Sequence, residues 1–350
     1  MAGGIERQII FLANHLSKLY SVHLITLDLP SAKSFYRISE RVRWHKVGNS
    51  PPHNKISFYS RVKQILSIRK IFKEAKKFNL VCFHHGLLFR FFVASLGLKK
   101  FFICSERNSL QLYSIIKQPK FTINFLLLYL VNKITVQFHN YVKQYPFLMR
   151  KRIVVISNCI TPSQNSATPD LSNKDGRYKI LTIGRLCSQK NQQVQIIAFH
   201  ALSKKFPLWD LYIYGEGPLK QKLIKLINEL ELNKRVFILP PVKNVSNLYT
   251  NANIFCITSL WEGFPNVLAE AMAHGMPCIG FIRCDGVNNL IKNKKSGFLT
   301  NPNELENIMQ KLMASKLLRK KLGAQSLNLS KSFEPSKMLK LWENTLNFDL

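Results

Sequence analysis

The 350-residue sequence predicts an α/β protein made of two doubly wound, Rossmann-like domains of roughly equal size facing a cleft. Three observations predict it. The length exceeds what one hydrophobic core usually organises. Short apolar runs alternate with amphipathic helical stretches along the whole chain, the pattern of parallel sheets covered by helices. A polar Ser-, Asn- and Pro-rich stretch, residues 161–177, breaks that alternation near the middle, after which it restarts. In such sheets, ligands gather at the carboxyl ends of the strands.

Taken in order, Ile5 to Leu19 reads as an amphipathic helix and Val22–Asp28 as the strand after it. Phe58 to Phe78 reads as a helix, with Phe58, Val62, Ile65, Leu66 and Phe72 spaced to face a core and the Lys and Arg facing out. Strands follow at Asn79–Phe83, Phe101–Cys104, Ile134–Phe138 and Ile153–Ile156. Residues 1–160 form the N-terminal domain and 161–177 the linker. The second domain, 178–332, holds strands Tyr178–Ile183, Trp209–Tyr214, Val236–Leu239, Ile254–Ile257 and Pro277–Gly280. Its helices are Gln192–Lys204, Leu219–Leu230 and Pro265–His274, and a separate helix, Pro335 to Leu346 within residues 333–350, returns toward the first domain.

Hydrophobic content of 46% excludes a disordered chain, while 51 Lys and Arg against 19 Asp and Glu give a formal net charge of +32. Such a field favours an anionic partner. Between Arg61 and Arg152 stand 18 Lys or Arg and two acids, Glu74 and Glu106, which points to an anionic membrane surface. Aromatics are not interleaved with the basic residues in a stacking pattern and no nucleic-acid module appears, so no nucleic-acid partner is expected. No stretch reaches the ~20 apolar residues that span a bilayer, and Phe121 to Val131 reads as a buried helix ahead of the alternative, a helix that dips into the headgroup region. The N-terminus lacks the basic start and apolar core of a secretory signal, and the seven cysteines have no framework spacing. Together these predict a reduced protein, cytoplasmic and peripheral on the inner face of the membrane.

Three segments carry chemistry. In Gly184-Arg185-Leu186-Cys187-Ser188-Gln189-Lys190-Asn191 a strand ends in glycine, and one Arg and one Lys stand over the strand end, where they suit a diphosphate. Tyr214-Gly215-Glu216-Gly217-Pro218 is a second glycine-rich strand-to-helix turn, a pattern any tight βα turn also shows. The third runs from Ser259 to Pro277. Pro265 suits a first helical turn, so the helix N-terminus beginning near Asn266 offers an anion site. Glu262 precedes that helix and Glu270 lies about two turns further on. Carboxylates beside an anion site suit hydroxyl groups, which donate to them. Phosphate on amides and cations, with hydroxyls on carboxylates, describes a sugar nucleotide.

In this order the segments resemble the family-4 retaining glycosyltransferases of the GT-B fold, as found in bacterial O-antigen and exopolysaccharide synthesis. SLWEGFPNVLAEAMAHGMP holds the Glu-x7-Glu pair, GRLCSQKN and LYIYGEGP resemble the two preceding donor loops, and DGVNNLI with SGFL the closing segment. Gly3-Gly4-Ile5-Glu6-Arg7 and Ser105-Glu106-Arg107-Asn108 give thinner support in the first domain. The resemblance implies that Arg185 and Lys190 bind the donor diphosphate, Glu270 the ribose, and Glu262 the transferred sugar as the catalytic residue. The backbone of Gly263, Phe264, Pro265 and Asn266 would close on sugar and phosphate, and Gly3 and Gly4 would form the acceptor and diphosphate loop. It implies a UDP- or GDP-sugar donor, a polyprenyl-diphosphate-linked glycan acceptor, no cofactor and no metal. The family begins with an apolar strand before its glycine loop, whereas this sequence starts almost at the loop, so the first strand of the N-terminal domain is expected to be missing. Competing readings are another GT-B enzyme (a nucleotide-sugar epimerase or a sugar phosphorylase) and a non-catalytic basic binding protein.

Overall fold

The computed structural model describes residues 3–48, 57–112, 122–242 and 244–346. Phe121, the first residue of the 121–131 stretch, lies outside them. The chain divides into two compact units: Met1–Cys159 with Ser336–Leu350, and Ile160–Pro335.

The first unit opens with helix α1 (Gly4–Leu16), followed by β1 (Val22–Thr26) and β2 (Val42–Lys46), which pair in parallel. Strand β2, VRWHK, escapes sequence reading because charged residues interrupt its apolar ones. Helix α2 (Phe58–Lys73) leads to β3 (Lys77–Phe83), then α3 (Leu88–Ala94) and β4 (Lys99–Ser105). After these come α4 (Ile123–Leu126) with a 3-10 turn over Leu127–Leu130, β5 (Lys133–Val136), α5 (His139–Val142), α6 (Phe147–Arg150) and β6 (Ile153–Val155). Strands β3, β4, β5 and β6 form a parallel four-stranded sheet in sequence order.

Two sequence expectations fail in this unit. Helix α2 buries Gln64, Ile68 and Phe72, whereas Phe58, Val62 and Leu66 are exposed beside its cations. The sequence carries two apolar arcs, and the one nearer the helix start does not reach the core. The 121–131 stretch is likewise no buried helix over its described residues. It breaks after Leu126, burying Phe125 and Leu128 and exposing Ile123, Leu126, Tyr129 and Leu130.

The second unit is a six-stranded parallel sheet. In chain order its elements are β7 (Tyr178–Ile183), α7 (Gln192–Ser203), β8 (Trp209–Tyr214), α8 (Lys220–Glu229), β9 (Val236–Leu239), α9 (Ser246–Thr250) and β10 (Ile254–Ile257). They continue with α10 (Asn266–Ala273), β11 (Cys278–Phe281), α11 (Asp285–Leu290), β12 (Gly297–Thr300), α12 (Leu305–Ala314) and α13 (Lys316–Ser330). The sheet order is β12-β11-β10-β7-β8-β9, so the winding reverses at β7. Strand β10 is buried along its whole length, as a central parallel strand covered on both faces must be. Residues 161–177 have no regular structure but are tied into this unit. Arg177 pairs with Asp210 at 2.6 Å, Asn253 donates to the Leu171 carbonyl at 2.6 Å, and the buried Arg319 donates to that of Pro169 at 2.5 Å.

The last helix, α14 (Pro335–Thr345), packs in the first unit. Leu339, Trp342 and Leu346 form one buried cluster with Leu12, Ile103 and Ile156. The Trp342 ring lies 6.2 Å from that of Phe83.

Candidate functional site

Where the strand order of a parallel sheet reverses, the loops leaving the carboxyl ends of two neighbouring strands diverge and open a crevice. In the second unit those strands are β7 and β10, which pair through Ile254–Ile180 and Phe255–Leu181. The loops leaving them are the first and third segments marked in the sequence.

The β7 loop turns at Gly184, and Asn191 adopts a left-handed conformation (φ 50°) as α7 begins. Buried Leu186 anchors it, its N–H donating to the Glu216 carbonyl and its own carbonyl accepting from Leu219 N–H, both at 2.9 Å. Gly215 makes this stacking possible, because a Cβ there would stand 1.9 Å from the Gly184 carbonyl oxygen. The second glycine segment therefore acts as a floor beneath the first. Arg185 is exposed at the crest, 3.4 Å from the Gln189 side chain.

The β10 loop is stitched to the β7 loop. Leu260 N–H donates to the Gln189 carbonyl, and Gln189 Nε2 returns a bond to the Trp261 carbonyl, each at 2.8 Å. Lys190 Nζ then meets the Glu262 carboxylate, with the two side chains 15% and 11% exposed. Gly286, on α11, donates its N–H to the Glu262 carbonyl at 3.2 Å; a Cβ on it would come within 2.7 Å of the carbonyl oxygens of Glu262 and Gly263. Gly263, Phe264 and Pro265 are buried, and Asn266 opens α10.

Helix α10 has a composition rich in helix formers and ends in a Schellman motif. Gly275 (φ +74°) donates to the Met272 carbonyl and Met276 to that of Ala271. The Tyr249 hydroxyl holds the Glu270 carboxylate, 2.9 Å from Oε2. His274 Nδ1 lies 2.8 Å from the Glu270 carbonyl and Nε2 lies 2.9 Å from Ser246 Oγ. Burial holds His274 below the ordinary imidazole pKa, so near neutral pH the ring is uncharged and Nδ1 is the donor.

The structure thus gathers Arg185, Lys190, Glu262, the backbone from Gly263 to Asn266, and Glu270 on the loops and helix at one end of one sheet. Cations and the positive pole of a helix are the groups that can hold an anion, and carboxylates those that can accept from hydroxyls. Gly3 and Gly4 belong to the first unit. Gly3 caps α1 with its carbonyl accepting from Arg7 N–H at 3.2 Å, and Glu6 folds over it so closely that a Cβ on Gly3 would lie 2.0 Å from Oε2.

Local pattern reading missed Gln189, which joins the two loops, and Tyr249, which orients Glu270 from 21 residues away. It also showed no metal-ligand cluster, yet folding brings the ligand atoms of His84, His85 and Glu106 within 4.8 Å of one another. Glu106 accepts from the His85 backbone N–H at 2.5 Å and lies 2.9 Å from its Nδ1. His84 is held at φ 99°, its Nδ1 accepting from Gly86 N–H at 2.9 Å. The trio is first of all a latch closing the turn after β3. Beside it, burial lowers the Arg107 guanidinium to about 10, and the group donates to Asn158 at 2.9 Å over the Phe83 ring.

Residues 163–328 match the family described as Glycosyl transferases group 1. The second unit is a group 1 glycosyl transferase domain, and the chain is a glycosyltransferase. It is 27% identical over 351 residues to an uncharacterized glycosyltransferase of Haemophilus influenzae, covering 99% of this chain and 96% of that one. It is also 26% identical to the GalNAc-alpha-(1->4)-GalNAc-alpha-(1->3)-diNAcBac-PP-undecaprenol alpha-1,4-N-acetyl-D-galactosaminyltransferase of Campylobacter jejuni, covering 97% and 94%. Among solved structures, the lipopolysaccharide outer core galactosyltransferase WaaB superposes with a TM-score of 0.77 at 18% identity, covering 100% of this glycosyltransferase and 97% of WaaB. Anabaena HepE in complex with UDP-glucose gives 0.76 at 15%, covering 98% and 96%. At such identity these likenesses speak to the fold alone, which is GT-B.

Proposed function

We propose that this glycosyltransferase moves a hexose-type sugar, with retention, from a UDP- or GDP-sugar to a polyprenyl-diphosphate-linked glycan in surface polysaccharide synthesis. One observation carries the reading: the switch point of the second unit's sheet holds Arg185, Lys190 and Glu262 on stitched loops and Glu270 on the helix that follows, α10. The assigned charges suit a sugar nucleotide. Arg185 and Lys190 take the diphosphate and offset the charge that builds on it as the glycosidic bond breaks. Glu270, steadied by Tyr249, accepts from the ribose hydroxyls. Glu262 accepts from hydroxyls of the sugar, and the backbone from Gly263 to Asn266 closes on sugar and phosphate.

In the transfer step, the acceptor oxygen bonds to the anomeric carbon from the face the diphosphate leaves. The bond from that carbon to the diphosphate oxygen breaks, and the acceptor proton passes to the departing diphosphate. This route uses no protein nucleophile, metal or cofactor. The first unit supplies acceptor binding, with Gly3 and Gly4 at the start of α1. The lipid-linked acceptor named for the Campylobacter relative, and the basic first unit, support a protein working peripherally at the cytoplasmic face of the membrane.

The test is thermal stabilisation by UDP, GDP, ADP, CMP and dTDP and their common sugar conjugates, since a ligand of the folded state raises the melting temperature by mass action. One diphosphate nucleotide is expected to stabilise the wild type and to lose its effect in Arg185→Ala. No shift with any nucleotide, or an undiminished shift in Arg185→Ala, would overturn the donor reading.

A further inference from the structure

Helix α2 has three faces where an ordinary surface helix has two. One buries Gln64, Ile68 and Phe72 in the first unit. A second, at i, i+4 and i+8, presents Phe58 (84% exposed), Val62 and Leu66 (60% exposed), joined by Tyr59. Exposed Arg61, Lys63, Lys70 and Lys73 flank that apolar row. Helix α3 packs against α2, with the Phe72 and Phe91 rings 6.4 Å apart and Arg69 donating to the Ala94 and Leu96 carbonyls at 3.1 and 2.8 Å. The α3 start is fastened to α4, where Phe89 N–H donates to Asn124 Oδ1 at 3.0 Å. On α4 and its 3-10 turn the apolar display continues through Ile123 (64% exposed), Leu126 and Leu130 (59% exposed).

A run of large apolar side chains in water, edged by cations, marks an interaction surface. We propose that α2, α3 and α4 form the face by which this protein docks on a bilayer containing anionic lipid, with Phe58, Leu66, Ile123 and Leu130 entering the headgroup layer. The proposal sharpens the membrane reading above and is independent of the donor assignment. Charge selects the occupant. Of the two acids among the 18 cations between Arg61 and Arg152, Glu106 is buried against His85, leaving Glu74 as the exposed one. Arg90 on α3 has its pKa lowered by burial and by the nearby Arg61, so cations crowd on this side. A second copy of the chain would bring the same positive face and be repelled. Anionic headgroups neutralise the face while the acyl boundary takes the apolar row, the pairing of an interfacial amphipathic helix.

The experiment is co-sedimentation of the full chain with vesicles of phosphatidylglycerol and phosphatidylcholine, or of phosphatidylcholine alone, at low and high salt. Wild type is expected on the anionic vesicles at low salt. Phe58→Ser with Leu66→Ser removes apolar contact without changing charge, and is expected to weaken binding at least tenfold. Lys63→Gln with Lys70→Gln is expected to weaken it roughly fivefold per charge. All four positions are exposed, so unchanged melting temperatures will certify folding. Nucleotide-induced stabilisation, measured without vesicles, is expected to be wild-type in both variants. Failure of the wild type to bind anionic vesicles at low salt overturns the proposal, as does undiminished binding by the serine variant. So does a wild type that stays off vesicles and forms a dimer which the serine variant loses, because the face would then be a contact between copies.

Discussion

The pair Lys190–Glu262 offers the sharpest test, since the two residues are assigned to different parts of the donor yet bind each other. Lys190→Ala strands the Glu262 carboxylate in a site where its side chain is 11% exposed. Stranding one partner of a fully buried pair costs about 3–5 kcal/mol, and the remaining access to water brings the expectation here to roughly 2–3 kcal/mol. For a unit of this size that lowers the melting temperature by roughly 4–12 °C. Glu262→Ala leaves an ammonium that can turn to solvent on its flexible stem, so its cost is smaller. The double variant lacks both charges and is expected to recover most of the loss. Binding should move differently. Lys190→Ala weakens nucleotide diphosphate affinity, whereas Glu262→Ala leaves it equal or tighter, because Lys190 no longer has a competing carboxylate. Transfer is lost in all three. Thermal melts give the stability cycle and titration calorimetry with the stabilising nucleotide gives the affinities. If Glu262→Ala weakens nucleotide binding as much as Lys190→Ala does, the division of roles between them is wrong.

Two further outcomes are expected. Gly215→Ala places a methyl against the Gly184 carbonyl, backbone on both sides, and should cost about 1–3 kcal/mol in thermal melts together with a loss of nucleotide affinity; wild-type affinity would refute the stacked-loop account. The imidazoles of His23, His84 and His274 are all held below the ordinary imidazole value of 6.5, chiefly by burial. Below 6.5 the unfolded chain therefore binds more protons than the folded one, and stability should fall as pH drops through and beneath that value. A His274→Gln variant should show a shallower fall, read from melting temperature against pH.

The second unit was largely legible because its instructions are local. Parallel strands such as Ile254–Ile257 are uninterrupted apolar runs, and glycine, Asn191 and Pro265 mark where each strand hands over to a helix. Cations and carboxylates with assigned roles sit within a few residues of those marks. What escaped depends on distance along the chain. Tyr249 reaches Glu270 across 21 residues and Glu106 reaches His85 across 21, and neither position carries a local sign of its partner. Helices α12 and α13 went unread because they follow β12 without a glycine-loop signature. In the first unit the spacing of Phe58, Val62 and Leu66 correctly marks one face of a helix, but periodicity cannot tell a face turned to a core from one turned outward. The structure makes that distinction, turning Phe58, Val62 and Leu66 outward.

Helix α14 has a consequence for the order in which the protein matures. Leu339, Trp342 and Leu346 complete a cluster whose other members, Leu12, Ile103 and Ile156, leave the ribosome far earlier. The second unit, although encoded later than most of the first, has all its described strands in hand by Thr300 and, among the described residues, its α-helices by Ser330. The usual rule that the N-terminal domain folds first during synthesis is thereby reversed at the last step. The early half of the chain must wait, its core unsealed, for residues translated after its neighbour is complete, so a stop codon before Ser336 would spare the later unit and cripple the earlier one.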